Sequence, residues 1–173
     1  MEMPNKKREF LALIQENKRL IFKICNTYCS NREDREDLAQ EIVYQLWRSE
    51  HTYDAGYKFS TWMYRVALNV AISFYRSHAN TGSMVSFDDC ANDVENAIAE
   101  DTEYENEIEK NRQLLYRLIG ELKELDRMLI LLFLEAKSYK EIAEIAGITE
   151  TNVATRINRI KEKLKQQITY SNN

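Results

Sequence analysis

Proline and glycine are scarce in this sequence, with one proline and four glycines in 173 residues. Pro4 precedes any periodic pattern, and Gly56, Gly82, Gly120 and Gly147 each fall between periodic segments, where helices end or loops turn. Sustained alternation with β-branched enrichment is also missing, so no segment reads as a strand and the chain reads as all-α. Long apolar runs are absent. The longest, residues 128–134, is far short of the roughly 20 residues that a membrane span needs. The first ten residues are basic but have no apolar stretch ending in a small-residue cleavage site, so the expectation is a cytoplasmic protein without membrane insertion. Cysteines are few and odd in number (Cys25, Cys29 and Cys90), which is no disulfide framework. Cys25 and Cys29 stand four apart on one side of an expected helix, but a metal site needs two more ligands, and neither His51 nor His78 falls at a recognisable spacing. Buried small side chains are expected there, with no metal and no cofactor.

What is present is globular composition, 44% hydrophobic and 30% charged, in a length that holds one ordinary domain or two small ones. A net charge of −4 argues against a nucleic-acid binder until it is divided along the chain. Residues 1–79 carry +2, residues 80–125 carry −8 and residues 126–173 carry +2. Two mildly basic ends flank an acidic middle, and screening over about 10 Å makes the local charge matter more than the sum. From Asp88 to Glu109 there are ten acidic residues and no basic one, which predicts a flexible tether, becoming helical toward Glu103, or a nucleic-acid mimic lying in a basic channel.

Apolar spacing predicts a first helix over residues 6–29, with Phe10, Leu13, Ile14, Ile21, Ile24 and Cys25 inward. A second spans residues 32–50, with Ser30 or Asn31 as N-cap and acids in its first turn. A third follows a loop, capped by Ser60 and reaching about Ser77. These three helices make one predicted domain, residues 6–79. An acidic linker follows over residues 80–107. A second domain, residues 108–168, has helices expected at residues 108–119, 123–136, 139–146 and 150–167.

Residues 138–165, SYKEIAEIAGITETNVATRINRIKEKLK, carry the sharpest local signal. Ser138 can cap a short helix with Ile142, Ala143 and Ala146 inward, Gly147 suits a positive-φ exit, and Thr149 can cap the next helix. In that helix Val153, Ile157, Ile160 and Leu164 form one apolar stripe, while Asn152, Thr155, Arg156, Arg159 and Lys163 occupy the opposite face. This is the pattern of a helix-turn-helix: small alanines permit a close crossing, Arg and Asn near the helix start suit base edges, and the later basic residues suit phosphates.

Residues 58–76, KFSTWMYRVALNVAISFYR, mix rings with cations. Met63, Val66, Ala67, Val70 and Phe74 are the expected core stripe, and Trp62, Arg65, Asn69 and Arg76 an exposed line suited to unstacked bases, although rings at this spacing also serve a core. In residues 34–47, DREDLAQEIVYQLW, Leu38, Ile42 and Leu46 point inward. Asp37, Gln40, Glu41, Tyr44 and Trp47 form the other side, a candidate protein-binding face unless Trp47 merely covers the core.

DLAQEIVYQLW, then FSTWMYRVALNVA, then an acidic gap and SYKEIAEIAGITETNVATRI, taken in this order, resemble the extracytoplasmic-function sigma factors of bacterial RNA polymerase, across nearly the whole chain. The resemblance implies a sigma-2 three-helix bundle and a sigma-4 helix-turn-helix domain joined by the acidic linker. It implies a non-catalytic subunit that directs core polymerase to promoters and assists their opening, and it further implies an anti-sigma partner. Asp37, Gln40, Glu41, Tyr44, Gln45 and Trp47 would grip the coiled coil of the largest polymerase subunit. Gly56, Lys58, Phe59, Ser60, Thr61, Trp62, Arg65, Asn69 and Arg76 would capture the opened element near −10. Lys140, Thr151, Asn152, Thr155, Arg156 and Arg159, within the helix-turn-helix of residues 138–160, would read duplex near −35. Two departures stand out: Leu122-Lys123 replaces a frequent Leu-Pro, and the loop over residues 53–58 is short.

Two other classes fit parts of the chain. A helix-turn-helix regulator that never joins polymerase shares the C-terminal pattern but leaves Tyr44, Trp47 and the ring-and-cation segment unused. A helical enzyme working through Glu33, Asp37 and Glu41 lacks a converging His, Ser, Lys or metal constellation.

Overall fold

The computed structural model describes residues 5–79 and 103–171, and its helices run α1 Asn5–Glu16, α2 Lys18–Tyr28, α3 Arg32–Arg48, α4 Phe59–Ala79, α5 Glu103–Gly120, α6 Glu124–Leu134, α7 Tyr139–Ala146 and α8 Glu150–Ser171. A 3-10 turn, Glu50–Thr52, precedes the loop to α4. No strand occurs among the described residues, and no described helix is long and apolar enough to cross a membrane. Most of the acidic linker (residues 80–102) lies outside the described residues. Its last part already belongs to α5, which starts at Glu103 rather than at residue 108.

The N-terminal half has four helices rather than three. The expected single helix over residues 6–29 breaks at Asn17, whose backbone sits at φ −101°, ψ 13°. Its N–H is shared between the carbonyls of Leu13 and Ile14 (3.2 and 3.1 Å), and its side-chain amide donates to Leu13 O at 2.8 Å. An asparagine that satisfies the backbone locally competes with continuation of the helix. The buried set is otherwise as the spacing predicts, with Phe10, Ile14, Ile21, Ile24 and Cys25 inward and Leu13 half-buried.

Asn31 is the N-cap of α3, its side chain accepting from Asp34 N at 2.7 Å. Ser60 is not a cap: α4 begins at Phe59, and the Lys58 carbonyl accepts from Thr61 and Trp62 N–H. The inward face of α4 is also rotated from the expected one. Met63 and Ala67 are buried, joined by Phe59, Tyr64, Leu68 and Ala71, while Val66, Val70 and Phe74 lie on its half-buried flank. The reason is tertiary. α4 packs against α2 and α3 on one side and against α6 and α7 on another, so two faces are covered.

In the C-terminal half, α6 starts one residue later than expected, at Glu124, and Lys123 takes φ −62°, ψ 154°. That is the φ a proline ring imposes, so the helix entry keeps the same geometry without one. The ends of α6 and α7 match. Lys137 N donates to Leu132 O (3.1 Å) and Ile148 N to Ala143 O (3.2 Å), each closing a helix with a left-handed residue, Ala136 at φ 56° and Gly147 at φ 69°.

The halves pack on each other through Arg127, a buried charge on α6. Its guanidinium donates to Gly120 O, to Leu122 O (3.2 Å) and, across the boundary, to Thr27 O (3.3 Å). It also lies over the Tyr75 ring (4.6 Å) and near the Tyr28 ring (5.3 Å). Tyr28 hydroxyl donates to Glu124 O at 2.9 Å. A cation set against the closing carbonyls of α5 also suits the negative end of that helix.

Two expectations follow from this packing. A β-carbon built on Gly147 meets nothing within 4 Å, so the cost of Gly147→Ala is purely conformational. It should lower unfolding free energy by about 1 kcal/mol, and Ala136→Gly should raise it by a few tenths to about 1 kcal/mol, both measured by urea denaturation. Burial raises the thiols of Cys25 and Cys29 to about 12, against the lowering effect of the Arg35 charge. Peptide mapping after brief iodoacetamide treatment at pH 8 should therefore find both unmodified in the native protein and alkylated in urea.

Candidate nucleic-acid interface

α7 is built for a fixed start and a sharp exit. Ser138 Oγ accepts from Glu141 N (3.2 Å), and the Glu141 carboxylate accepts from Ser138 N (2.9 Å), a reciprocal capping box. The Ser138 backbone N–H, then its hydroxyl, holds the Glu141 carboxyl below the ordinary carboxylate range. Gly147 then turns the chain, and Thr149 Oγ1 accepts from Asn152 N (3.2 Å) to start α8. Along α8, Val153, Ile157, Ile160 and Leu164 are buried, and Thr151, Asn152, Thr155, Arg159 and Lys163 are exposed on the outer side. Lys140, on α7, is exposed as well. Arg156 is the exception in the predicted set, being half-buried. Its Nη1 donates to Asp126 Oδ1 at 2.9 Å and its Nε to Asn152 Oδ1 at 3.2 Å, which uses two of five N–H donors. Arg159 Nη2 lies 3.8 Å from the other Asp126 oxygen. Asp126, thirty residues away on α6, thus orients the basic face of α8. Sequence reasoning missed it, because nothing in the local pattern of α6 signals a partner that distant.

On α4 and its approach, Gly56, Lys58, Arg65, Asn69 and Arg76 are exposed, Ser60, Thr61 and Trp62 half-buried, and Phe59 buried. Trp62 therefore does not stand on an exposed line with Arg65. Its indole Nε1 donates to Thr52 Oγ1 (3.1 Å), and its ring lies 5.5 to 5.7 Å from those of Tyr53, Phe59 and Phe10. Three neighbouring rings bury more of it than helical spacing suggests. The exposed ring of this region is Tyr57, 68% accessible beside Lys58. The sequence reading passed over it, although a tyrosine in a short polar loop was the available sign. Gly56 N donates to Asp54 Oδ1 at 2.9 Å, which tightens that loop.

On α3, Leu38, Ile42 and Leu46 are fully buried. Asp37, Gln40, Glu41 and Tyr44 are exposed, and Gln45, half-buried, donates to Glu41 (2.8 Å). Trp47 is half-buried against the core, with the Lys7 ammonium 5.2 Å from its ring. Val43, exposed next to Tyr44, adds apolar surface to this face. α3 and α4 pack directly together, which places these two sets on one half of the molecule and the α7–α8 set on the other.

No group of three or more His, Cys, Asp or Glu side chains among the described residues is placed to hold a metal ion. Glu33, Asp37 and Glu41 lie exposed along α3.

With this geometry in view, known proteins can be compared. Residues 13–81 match the family Sigma-70 region 2, and residues 112–164 match Sigma-70, region 4. The ECF RNA polymerase sigma factor SigW of Bacillus subtilis is 29% identical over 189 residues, covering 97% of this chain and 98% of its own length. The ECF RNA polymerase sigma-E factor of Escherichia coli is 31% identical over 143 residues, covering 78% of this chain and 74% of its own. Among solved structures, the sigma factor RpoE in complex with the anti-sigma factor NepR from Bartonella quintana shares the fold, with a TM-score of 0.67 at 18% identity over 94% of this chain and 98% of that one. CnrH in complex with the cytosolic domain of CnrY gives a TM-score of 0.66 at 19% identity over 94% and 89%. The first matched region takes in α2, α3, α4 and the end of α1, and the second takes in α6, α7, half of α5 and most of α8. The chain belongs to the sigma-70 family, among the extracytoplasmic-function sigma factors that give RNA polymerase its promoter specificity.

Proposed function

We propose that this chain works as a non-catalytic subunit in the cytoplasm, dividing promoter recognition between its halves while core polymerase supplies the chemistry. The α3 face of Asp37, Gln40, Glu41, Val43 and Tyr44, with Gln45 and Trp47 at its edge, docks on the largest subunit of polymerase. Lys58, Arg65, Asn69 and Arg76, with Tyr57 as the stacking ring, hold the separated strand of the element near −10. Phe59, Ser60, Thr61 and Trp62 form the partly covered wall beneath them, and Gly56 shapes the loop. Lys140, Thr151, Asn152, Thr155, Arg156 and Arg159 read duplex near −35. One observation carries the reading of α8 as the duplex reader: its apolar stripe is buried while its opposite side exposes an amide, hydroxyls and cations suited to base edges and phosphates. The two solved relatives are each held by a partner protein, which supports an anti-sigma partner for this chain.

The deciding experiment is run-off transcription with core polymerase on a genomic promoter library. Starts that depend on this protein and cluster downstream of a shared sequence pair support the reading. A helix-turn-helix regulator acting alone would give none.

The residue roles have their own tests. Arg156→Ala should weaken discrimination between the upstream element and a scrambled one by about 1–3 kcal/mol in holoenzyme binding, because it removes the base-edge donors pinned by Asp126. Arg65→Ala with Asn69→Ala should leave that upstream binding unchanged and reduce permanganate reactivity of the opened region several-fold, since both side chains are exposed on α4.

A further inference from the structure

The outward face of α2 carries charge of one sign and one uncovered ring. Its eleven residues include Lys18, Arg19 and Lys23 and no acid. Leu20, Ile21, Ile24 and Cys25 are buried, so the side turned from the core shows Lys18, Arg19, Phe22, Lys23 and Asn26. Steps of four put Lys18, Phe22 and Asn26 in one row and Arg19 and Lys23 in the next, over about 12 Å of helix. Phe22 is 58% exposed. Lys23 is held by Glu135 at 2.7 Å, but among the described residues no ion pair takes up Lys18 or Arg19. The acid that precedes this face along the chain is Glu16, at the end of α1.

This face adjoins the strand-holding set proposed above. The Tyr28 ring, at the end of α2, lies 6.3 Å from that of Tyr75, the neighbour of Arg76 on α4. Lys23 and Arg76 reach carboxylates that bracket α6, Glu135 just past its end and Glu124 at its start. The α2 face and the far end of α4 therefore open on the same side of the N-terminal half. An exposed ring among cations suits single-stranded nucleic acid, whose bases stack on the ring while its phosphates meet the charges. Duplex keeps its base faces stacked, so it would use the cations and leave the ring uncovered. We infer that α2 is a second single-strand contact. Phe22 stacks on a base, and Lys18 and Arg19 hold the flanking phosphates, in the stretch of separated strand that runs on beyond Arg76. This rests on the strand-holding role proposed for Arg65, Asn69 and Arg76.

The test uses holoenzyme assembled from the full chain and core polymerase, on a promoter recovered by run-off transcription and built with a segment already unpaired. Phe22→Ala and Phe22→Leu should each weaken binding of this template about fivefold or more, whereas Phe22→Tyr, which keeps a ring, should bind as wild type. Lys18→Gln/Arg19→Gln should flatten the salt dependence, reducing the slope of log K against log salt by about 1.4, the loss of two single-strand phosphates. A photocrosslinking benzoylphenylalanine at position 22 should label the unpaired strand, farther along it than the same group at position 73, where Ser73 is exposed in the row of Asn69 and Arg76. Full-strength binding by Phe22→Ala, an unchanged salt slope, or labelling of a polymerase subunit instead of DNA from position 22 would overturn the inference. Strand labelling from position 73 beside any of those results leaves the functional reading standing and removes only the α2 contact. Absence of any run-off start removes the functional reading and the inference with it.

Discussion

Arg127 is the interaction on which the arrangement of the two halves depends. A guanidinium taken out of water is costly unless its donors find acceptors, and here the acceptors are backbone carbonyls that also need partners. Gly120 O and Leu122 O belong to the exit from α5, and Thr27 O to the last turn of α2. One side chain thus finishes a helix in its own half and touches a helix end in the other. Tyr28 and Tyr75 wall the charge from opposite helices, and Tyr28 returns a hydrogen bond to Glu124 O, at the start of the helix that carries Arg127. Burial, with the nearby Glu124 charge added, keeps the Tyr28 hydroxyl protonated well past its ordinary range despite the opposing Arg127 charge, so it remains a donor.

Around this buried anchor the contact is apolar where α4 meets α6 and α7, with ion pairs at its edge. An interface made wholly of apolar surface would resist separation. This one combines apolar packing of α4 against α6 and α7 with a single buried charge and ion pairs at its edge. The elements near −10 and −35 are separated by about 25 base pairs, or about 85 Å of duplex at 3.4 Å per step. A compact chain of this length has a radius of gyration of about 16 Å. Docked halves of that size do not span both elements, so the division of promoter reading proposed above requires the halves to move apart on DNA.

What was legible in the sequence was what is local. Ser138, Gly147, Thr149 and the Val153-Ile157-Ile160-Leu164 stripe each act within one or two turns, and the structure places all of them as their spacing implies. The inward stripe of α3 was equally plain, since only one of its faces is covered by neighbours. The break at Asn17 escaped because the apolar spacing is continuous across it, and periodicity does not register a side chain that bonds its own backbone. The rotated face of α4 escaped because packing on two sides makes a helix less amphipathic, and a one-face template then picks the wrong stripe. Trp62 shows the same limit. Helical spacing put it in line with Arg65, but Phe10 and Tyr53, far apart in sequence, close over it.

Asp126 and Glu124 illustrate why the site was harder to read than the fold. Both lie in the first turn of α6, where acids favour a helix N-terminus and invite no other explanation. In the folded chain they part company. Asp126 turns toward α8 and fixes Arg156, while Glu124 reaches Arg76 on the other half. Two residues of a single helical turn thus touch both proposed DNA-binding surfaces, Asp126 at a proposed duplex reader and Glu124 at a proposed strand holder. The Arg76–Glu124 pair, exposed on its cation side, contributes about 1 kcal/mol or less, so it does not dictate the fold. The effect of the two contacts is on which partner each cation faces, and that is where a protein built to change partners during initiation has to be adjustable.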